Sequence, residues 1–264
     1  MLGVIIYAKG EKRIMLHPQD KGKNFAILMA FVFLLLMESL ALAENNPSAI
    51  EWANKCIRLA NDGRYKEAIE TCSTAIGLDP QLAAAYINRG NAYSETGNVR
   101  QAIKDYDKAI ELDPQLAAAF INRGNAYSSL GEQQKAINDF EKAIEMNPKV
   151  AATYYGRGVA RGSLGDHRSA IGDFNKAIEL DPKVAAAYYS RGVAYGSLED
   201  YQKAIKDFDK AIELDPRLAA AYVNRGVAFG SLGDDQKATT DLKTAAKLGD
   251  QKAQDFLKSK GIGW

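Results

Sequence analysis

Histidine is almost missing from this chain of 264 residues: His17 and His167 are the only two, and they lie far apart. A zinc site or an imidazole-based acid–base centre has no ligand set to draw on. Cysteine is as scarce, with only Cys56 and Cys72, which rules out a cysteine-rich metal spacing. An excess of charge is absent too. Lys and Arg number 34 against 33 Asp and Glu, a net of +1, so no bulk field draws the chain to nucleic acid or to an anionic membrane. The glycines of "RGNAY" and "RGVAYG" sit inside helical patterns rather than after strands, which excludes a phosphate loop. Together these gaps predict no catalytic residues, no metal, no cofactor and no nucleic-acid partner.

Long apolar runs are also lacking, with one exception. Residues 25–37 read "FAILMAFVFLLLM", with Lys21 and Lys23 before them and "ESLALA" after. A basic start, an apolar middle and a small-x-small ending describe a cleaved secretory signal peptide. The alternative is an uncleaved anchor, but Glu38 and Ser39 interrupt the run short of the ~20 residues that cross a bilayer. Residues 1–43 are therefore read as the leader. Translation from Met15 would give a leader of 29 residues, inside the usual range of about 15–30. The expected location is outside the cytoplasm, in a bacterial periplasm, or at the inner membrane if the leader is retained. Residues 44–48 form a short linker, and Ser48-Ala-Ile-Glu51 is a capping box that starts a helix.

Beyond residue 49 the chain repeats. Pro80, Pro114, Pro148, Pro182 and Pro216 are spaced 34 apart, and Ala68, Ala102, Ala136, Ala170, Ala204 and Ala238 share that period. Each unit carries two apolar runs with helical spacing, such as Ala102, Ile103, Tyr106, Ala109 and Ile110. A glycine usually divides the runs, and an Asp-Pro or Asn-Pro pair stops the second. Six units result: 49–82, 83–116, 117–150, 151–184, 185–218 and 219–248. Residues 249–264 read as a capping helix and tail, with Ala253, Phe256 and Leu257 as its apolar stripe. A helix pair this short cannot bury its apolar face alone, whereas stacked pairs share a continuous core.

The pattern resembles the tetratricopeptide repeat family. Unit two supplies Tyr86, Gly90, Tyr93, Ala102, Tyr106, Ala109 and Pro114, and unit three supplies Phe120, Gly124, Tyr127, Ala136, Phe140, Ala143 and Pro148. Departures are local: Cys56 and Cys72 in unit one, Arg161 for an aromatic in unit four, Glu199 for the turn glycine in unit five, and Asp250 for the proline of unit six. The resemblance implies an all-α, right-handed superhelical solenoid, with first helices lining a concave groove.

Two kinds of site residue follow. Arg89, Arg123, Arg157, Arg191 and Arg225 each precede an aspartate by sixteen residues: Asp105, Asp139, Asp173, Asp207 and Asp241. The two flank the turn symmetrically, so they are read as ion pairs between paired helices. Unit one has lost both, with Lys55 and Thr71 in their places. Cys56 and Cys72 are symmetric about the same turn, and both replace family residues at the close helix–helix contact; a disulfide is expected in an exported protein. The groove columns of the first helices hold Ala53, Asn88, Asn91, Asn122, Asn125, Tyr155, Tyr189 and Asn224 and carry no charge. The lysines with which some family members clamp a terminal carboxylate are absent. Amides and tyrosines suit an extended, mostly uncharged peptide. A non-catalytic adaptor is the expected role, with a membrane-anchored assembly factor or a self-associating module as alternatives.

Overall fold

A computed structural model of the protein describes residues 5–8, 12–15 and 47–264. The apolar run read as a leader, and the cleavage expected after it, lie outside the described residues. Before them, β1 (Ile5–Ala8) and β2 (Lys12–Met15) pair antiparallel, with Ile5 opposite Met15. The sequence reading gave this stretch no element of its own. Its β-branched and aromatic residues favour strands.

From residue 47 onward all regular structure is helical. The helices are α1 (Ala49–Asn61), α2 (Tyr65–Leu78), α3 (Ala83–Glu95), α4 (Val99–Leu112), α5 (Ala117–Ser129), α6 (Gln133–Met146), α7 (Ala151–Ser163), α8 (His167–Leu180), α9 (Ala185–Ser197), α10 (Tyr201–Leu214), α11 (Ala219–Ser231), α12 (Asp235–Lys247) and α13 (Gln251–Ser259). Ser48 accepts from the backbone N–H of Glu51, and Glu51 accepts from that of Ser48, so the capping box starts α1.

Local chemistry sets each joint. The odd helices end on a residue with positive φ, which is glycine at 63, 97, 131, 165 and 233, but Glu199 with φ 60° in unit five. The even helices of units one to five end at an Asp or Asn in extended geometry before proline. The carboxylate or amide of that residue accepts from the backbone two residues on, as Asp113 does from Gln115 at 3.0 Å.

Packing follows from residue size. Ala68, Ala102, Ala136, Ala170 and Ala204 are fully buried where paired helices meet. Tyr106, Phe140, Phe174 and Phe208 are buried beneath the glycines of the facing helix. A Cβ added at Gly90 would stand 2.6 Å from Tyr106 Cε1, and one at Gly192 would stand 2.7 Å from Phe208 Cε1. Glycine is what lets the ring under the helix. Burying such a ring stabilises by roughly 1.5–3 kcal/mol, and units two to five supply one each.

Each helix contacts the helices just before and just after it, and each odd helix from α1 to α9 also touches the next odd helix. Close approach among the odd helices alone places them on the inside of the curve. The result is an all-α superhelical solenoid with one concave face. At its end Ala253 and Leu257 of α13 bury themselves against Ala245 and Ala246. Phe256, expected in that apolar stripe, is instead 48% exposed. The helical period carries it a quarter-turn off the seam, toward the concave side.

Candidate functional site

The concave face is built from side chains one, four and eight positions apart on the odd helices. In the column that begins at residue 57, Ile57, Val159, Val193 and Val227 are 40%, 37%, 38% and 58% exposed. Asn91 and Asn125 stand between them. Apolar side chains this open, in register along one face, lack an intramolecular partner.

Several residues expected to meet a ligand also join the units to one another. Asn91 Oδ1 accepts from Tyr106 Oη and from Asn122 Nδ2, both at 2.8 Å. Asn224 Nδ2 donates to Tyr189 Oη at 2.9 Å, and Tyr155 Oη lies 3.5 Å from Ser190 Oγ. The Tyr106 bond lies within unit two, and the other three contacts span 31 to 35 residues and cross from one unit to the next. Asn88 and Asn125 make no side-chain hydrogen bond among the described residues, so their amides are open to a partner. Burial raises the Tyr189 hydroxyl pKa, which keeps it neutral and able to donate.

One expectation needs correction. Ala53 was placed in the groove but is buried against Ala75 and Ala85, because α1 leans on α3. The groove columns carry no charge, but beside them Glu95 lines the first hollow, of about 250 Å3, with Ile57, Tyr65, Asn88 and Asn91. Further hollows of about 300 and 280 Å3 follow beside Tyr189 and Asn224. A larger cleft of about 880 Å3 ends the face, between α11, α12 and α13.

The arginine column lies behind this surface. Arg89 Nε and Nη2 donate to both oxygens of Asp105, at 2.8 and 2.7 Å. Arg123 meets Asp139, Arg191 meets Asp207 and Arg225 meets Asp241 in the same fork. Arg157 and Arg161 share Asp173. The aspartates are 3–5% exposed, so each charge is desolvated and needs its partner. Hydrogen bonding to Asp139 and Asp107 drives the Arg123 pKa further above its ordinary value, and it stays charged.

Sequence reasoning missed the second arm of this contact. The free Nη1 of each arginine reaches back to the preceding unit. Arg89 donates to Ser73 at 3.1 Å, and Arg123, Arg191 and Arg225 reach Asp107, Asn175 and Asp209, all at 2.6 Å. Arg157 lies 3.7 Å from Glu141. One guanidinium thus ties three helices. The signal was available in the sequence, since sixteen residues before each arginine stands an acceptor: Ser, Asp, Glu, Asn, Asp.

Unit one replaces this network covalently. Cys56 and Cys72 are fully buried and joined by a disulfide, with Cα atoms 5.4 Å apart. No group of three or more His, Cys, Asp or Glu side chains placed to hold a metal occurs among the described residues. No helix among them is long and apolar enough to cross a membrane.

Known proteins share this architecture. The solved structure of MamA is 28% identical, with a TM-score of 0.58, over 62% of this chain and 96% of that one. YrrB, described as a TPR protein with an unusual peptide-binding site, is 27% identical with a TM-score of 0.61, over 72% of this chain and 99% of that one. PilF of Pseudomonas aeruginosa, at 15% identity, shares the fold with a TM-score of 0.71 over 80% of this chain and 97% of that one. No curated protein matches. The tetratricopeptide repeat model matches four tandem units, 83–116, 117–150, 151–184 and 185–218, and a related TPR repeat model matches 59–97. With more than half of its length so matched, the chain belongs to the tetratricopeptide repeat family, whose fold is an interaction scaffold.

Proposed function

We propose that this protein is a non-catalytic scaffold that holds an extended, mostly uncharged peptide segment of a partner along its concave face, outside the cytoplasm. The observation that carries this reading is the run of open apolar side chains Ile57, Val159, Val193 and Val227, interleaved with the unpaired amides of Asn88 and Asn125. Neighbouring helices stand about 8–10 Å apart, and an extended chain rises about 3.3 Å per residue. A bound strand therefore passes one unit every three residues or so. Its backbone meets amides that both donate and accept, and its side chains meet the hollows. The peptide-binding site for which YrrB is described supports the same reading.

Export rests on the leader pattern and on the disulfide, a bond that persists in oxidising compartments. Capture from the envelope fraction of the host tests the scaffold. The unaltered protein should retain a partner, and Val159→Asp with Val193→Asp should lose it while the helical circular dichroism stays the same. Undiminished capture by that variant would overturn the reading. Thiol titration of denatured, unreduced protein from the host tests export, and two free thiols per chain would count against it.

A further inference from the structure

From unit two to unit five the concave face closes in the same way, and at the last step it does not. In units two to five a buried ring fills the space below the first helix. Unit six has Leu242 at that place, and it is only partly buried. Ala238 is partly open, whereas its five counterparts are fully buried. Helix α13 packs on α12 and does not approach α11 as successive odd helices approach each other. A missing ring and a displaced helix leave the cleft of about 880 Å3, against 300 and 280 Å3 at the two steps before it. That size is within the range of about 300–1,000 Å3 of small-ligand sites.

Its walls are apolar, with Val227 and Phe256 58% and 48% exposed. Its rim is cationic. Lys252, Phe256 and Lys260 stand four residues apart, so they share one stripe of α13 and its end, and all three line the cleft. Lys260 Nζ lies 5.9 Å from the centre of the Phe256 ring. Neither lysine forms an ion pair among the described residues, whereas Lys108, Lys142, Lys176 and Lys210 each hold a glutamate within 2.8 Å. Among the described residues Asp235 is the one carboxylate on the lining, which leaves the balance positive.

We propose that this cleft is the anchor subsite of the groove, and that it takes a bulky apolar side chain, aromatic by preference, next to an acidic residue of the bound peptide. The inference rests on the peptide reading above. The apolar walls bury the side chain, and Lys252 and Lys260 receive the adjoining carboxylate. Rim charges in water contribute direction more than affinity, so they orient the peptide with its acidic end toward α13.

Indole-3-propionate and its uncharged amide are the probes, read by backbone nuclear magnetic resonance on the full chain. The acid should give saturable shifts at Gly226, Val227, Gly230 and Phe256. The amide should bind about threefold more weakly, the size of an exposed pair of charges. Leu242→Phe restores the missing ring and should weaken both probes about tenfold or more. Lys252→Glu with Lys260→Glu changes exposed side chains only and should remove the preference for the acid. Shifts elsewhere, no saturation, or equal binding of acid and amide would overturn the proposal. If the probe fails while envelope capture succeeds, the anchor is wrong and the scaffold reading stands. If the probe binds and capture is indifferent to the groove variants, the peptide is wrong as the occupant.

Discussion

Arg123 illustrates what a buried charge requires. Its fork on Asp139 is half of a contact whose other arm holds Asp107 of the preceding unit. Removing the guanidinium leaves Asp139, which is 5% exposed, charged and without a partner. Arg123→Ala should therefore destabilise more than Arg123→Ala with Asp139→Ala, where neither buried charge remains. A urea double-mutant cycle should give a coupling on the order of 0.5–3 kcal/mol. Additive losses would show that the pair is not a unit. The pairing was legible because two columns vanish together in unit one. The reach to Asp107 was not argued for, because it needs the offset between units. Glu199 offers a second test at this scale. It holds φ 60° where the other five units have glycine, and a side chain there costs about 1–2 kcal/mol. Glu199→Gly should raise stability by about 1 kcal/mol, less the entropy that glycine adds to the unfolded chain. A lower urea midpoint would contradict this.

Among the elements, the even helices differ in how they begin. Helices α8, α10 and α12 start at Asp166, Asp200 and Asp234, which accept from the backbone of Ser169, Lys203 and Lys237. Arg64, Asn98 and Glu132 make no such bond at the starts of α2, α4 and α6. Hydrogen bonds from Ser169 hold the Asp166 carboxyl below its ordinary pKa, and those from Lys203 and Lys237 do the same for Asp200 and Asp234. A carboxyl with its pKa lowered in the folded state stabilises above its unfolded value near 4, and that stability is lost as pH falls through the folded value. Acidification from pH 6 to pH 3 should therefore cost α8, α10 and α12 more amide protection than α4 and α6. The arginine–aspartate pair is common to all five units concerned and does not bias the comparison. Equal losses would show that the caps are too solvated to matter. Helix positions and turns were readable from the proline and glycine columns, since those residues act on their own backbone. The direction of Phe256 was not, because a nine-residue helix with a scattered stripe fits more than one seam.

At the scale of the molecule, contact is limited to neighbours, so stability is a sum of units and interfaces rather than one shared core. The period of 34 made the solenoid legible, and the columns of the odd helices made its concave face legible. The final cleft was not, although Leu242 ends a run of four aromatics, Tyr106, Phe140, Phe174 and Phe208, in its column. A leucine there is equally compatible with a filled site until the placement of α13 relative to α11 is known. That placement also sets where a lesion is felt. Leu257 is fully buried among Ala245, Ala246 and Ala253, with Tyr222, Val223 and Leu242 around it. Leu257→Ala removes the side chain that holds α13 down, at a cost of about 2–5 kcal/mol. Among the described residues only α12 and its surroundings share that interface. Amide exchange should therefore quicken in α11, α12 and α13 and fade toward unit four. Helices α1 and α2, joined by Cys56 and Cys72, should keep their protection. The variant should also lose indole-3-propionate binding, since Phe256 and Lys260 depend on the same helix. A uniform loss of protection from α1 to α13 would mean that the solenoid opens as a single cooperative body, and that its interfaces outweigh the units they join.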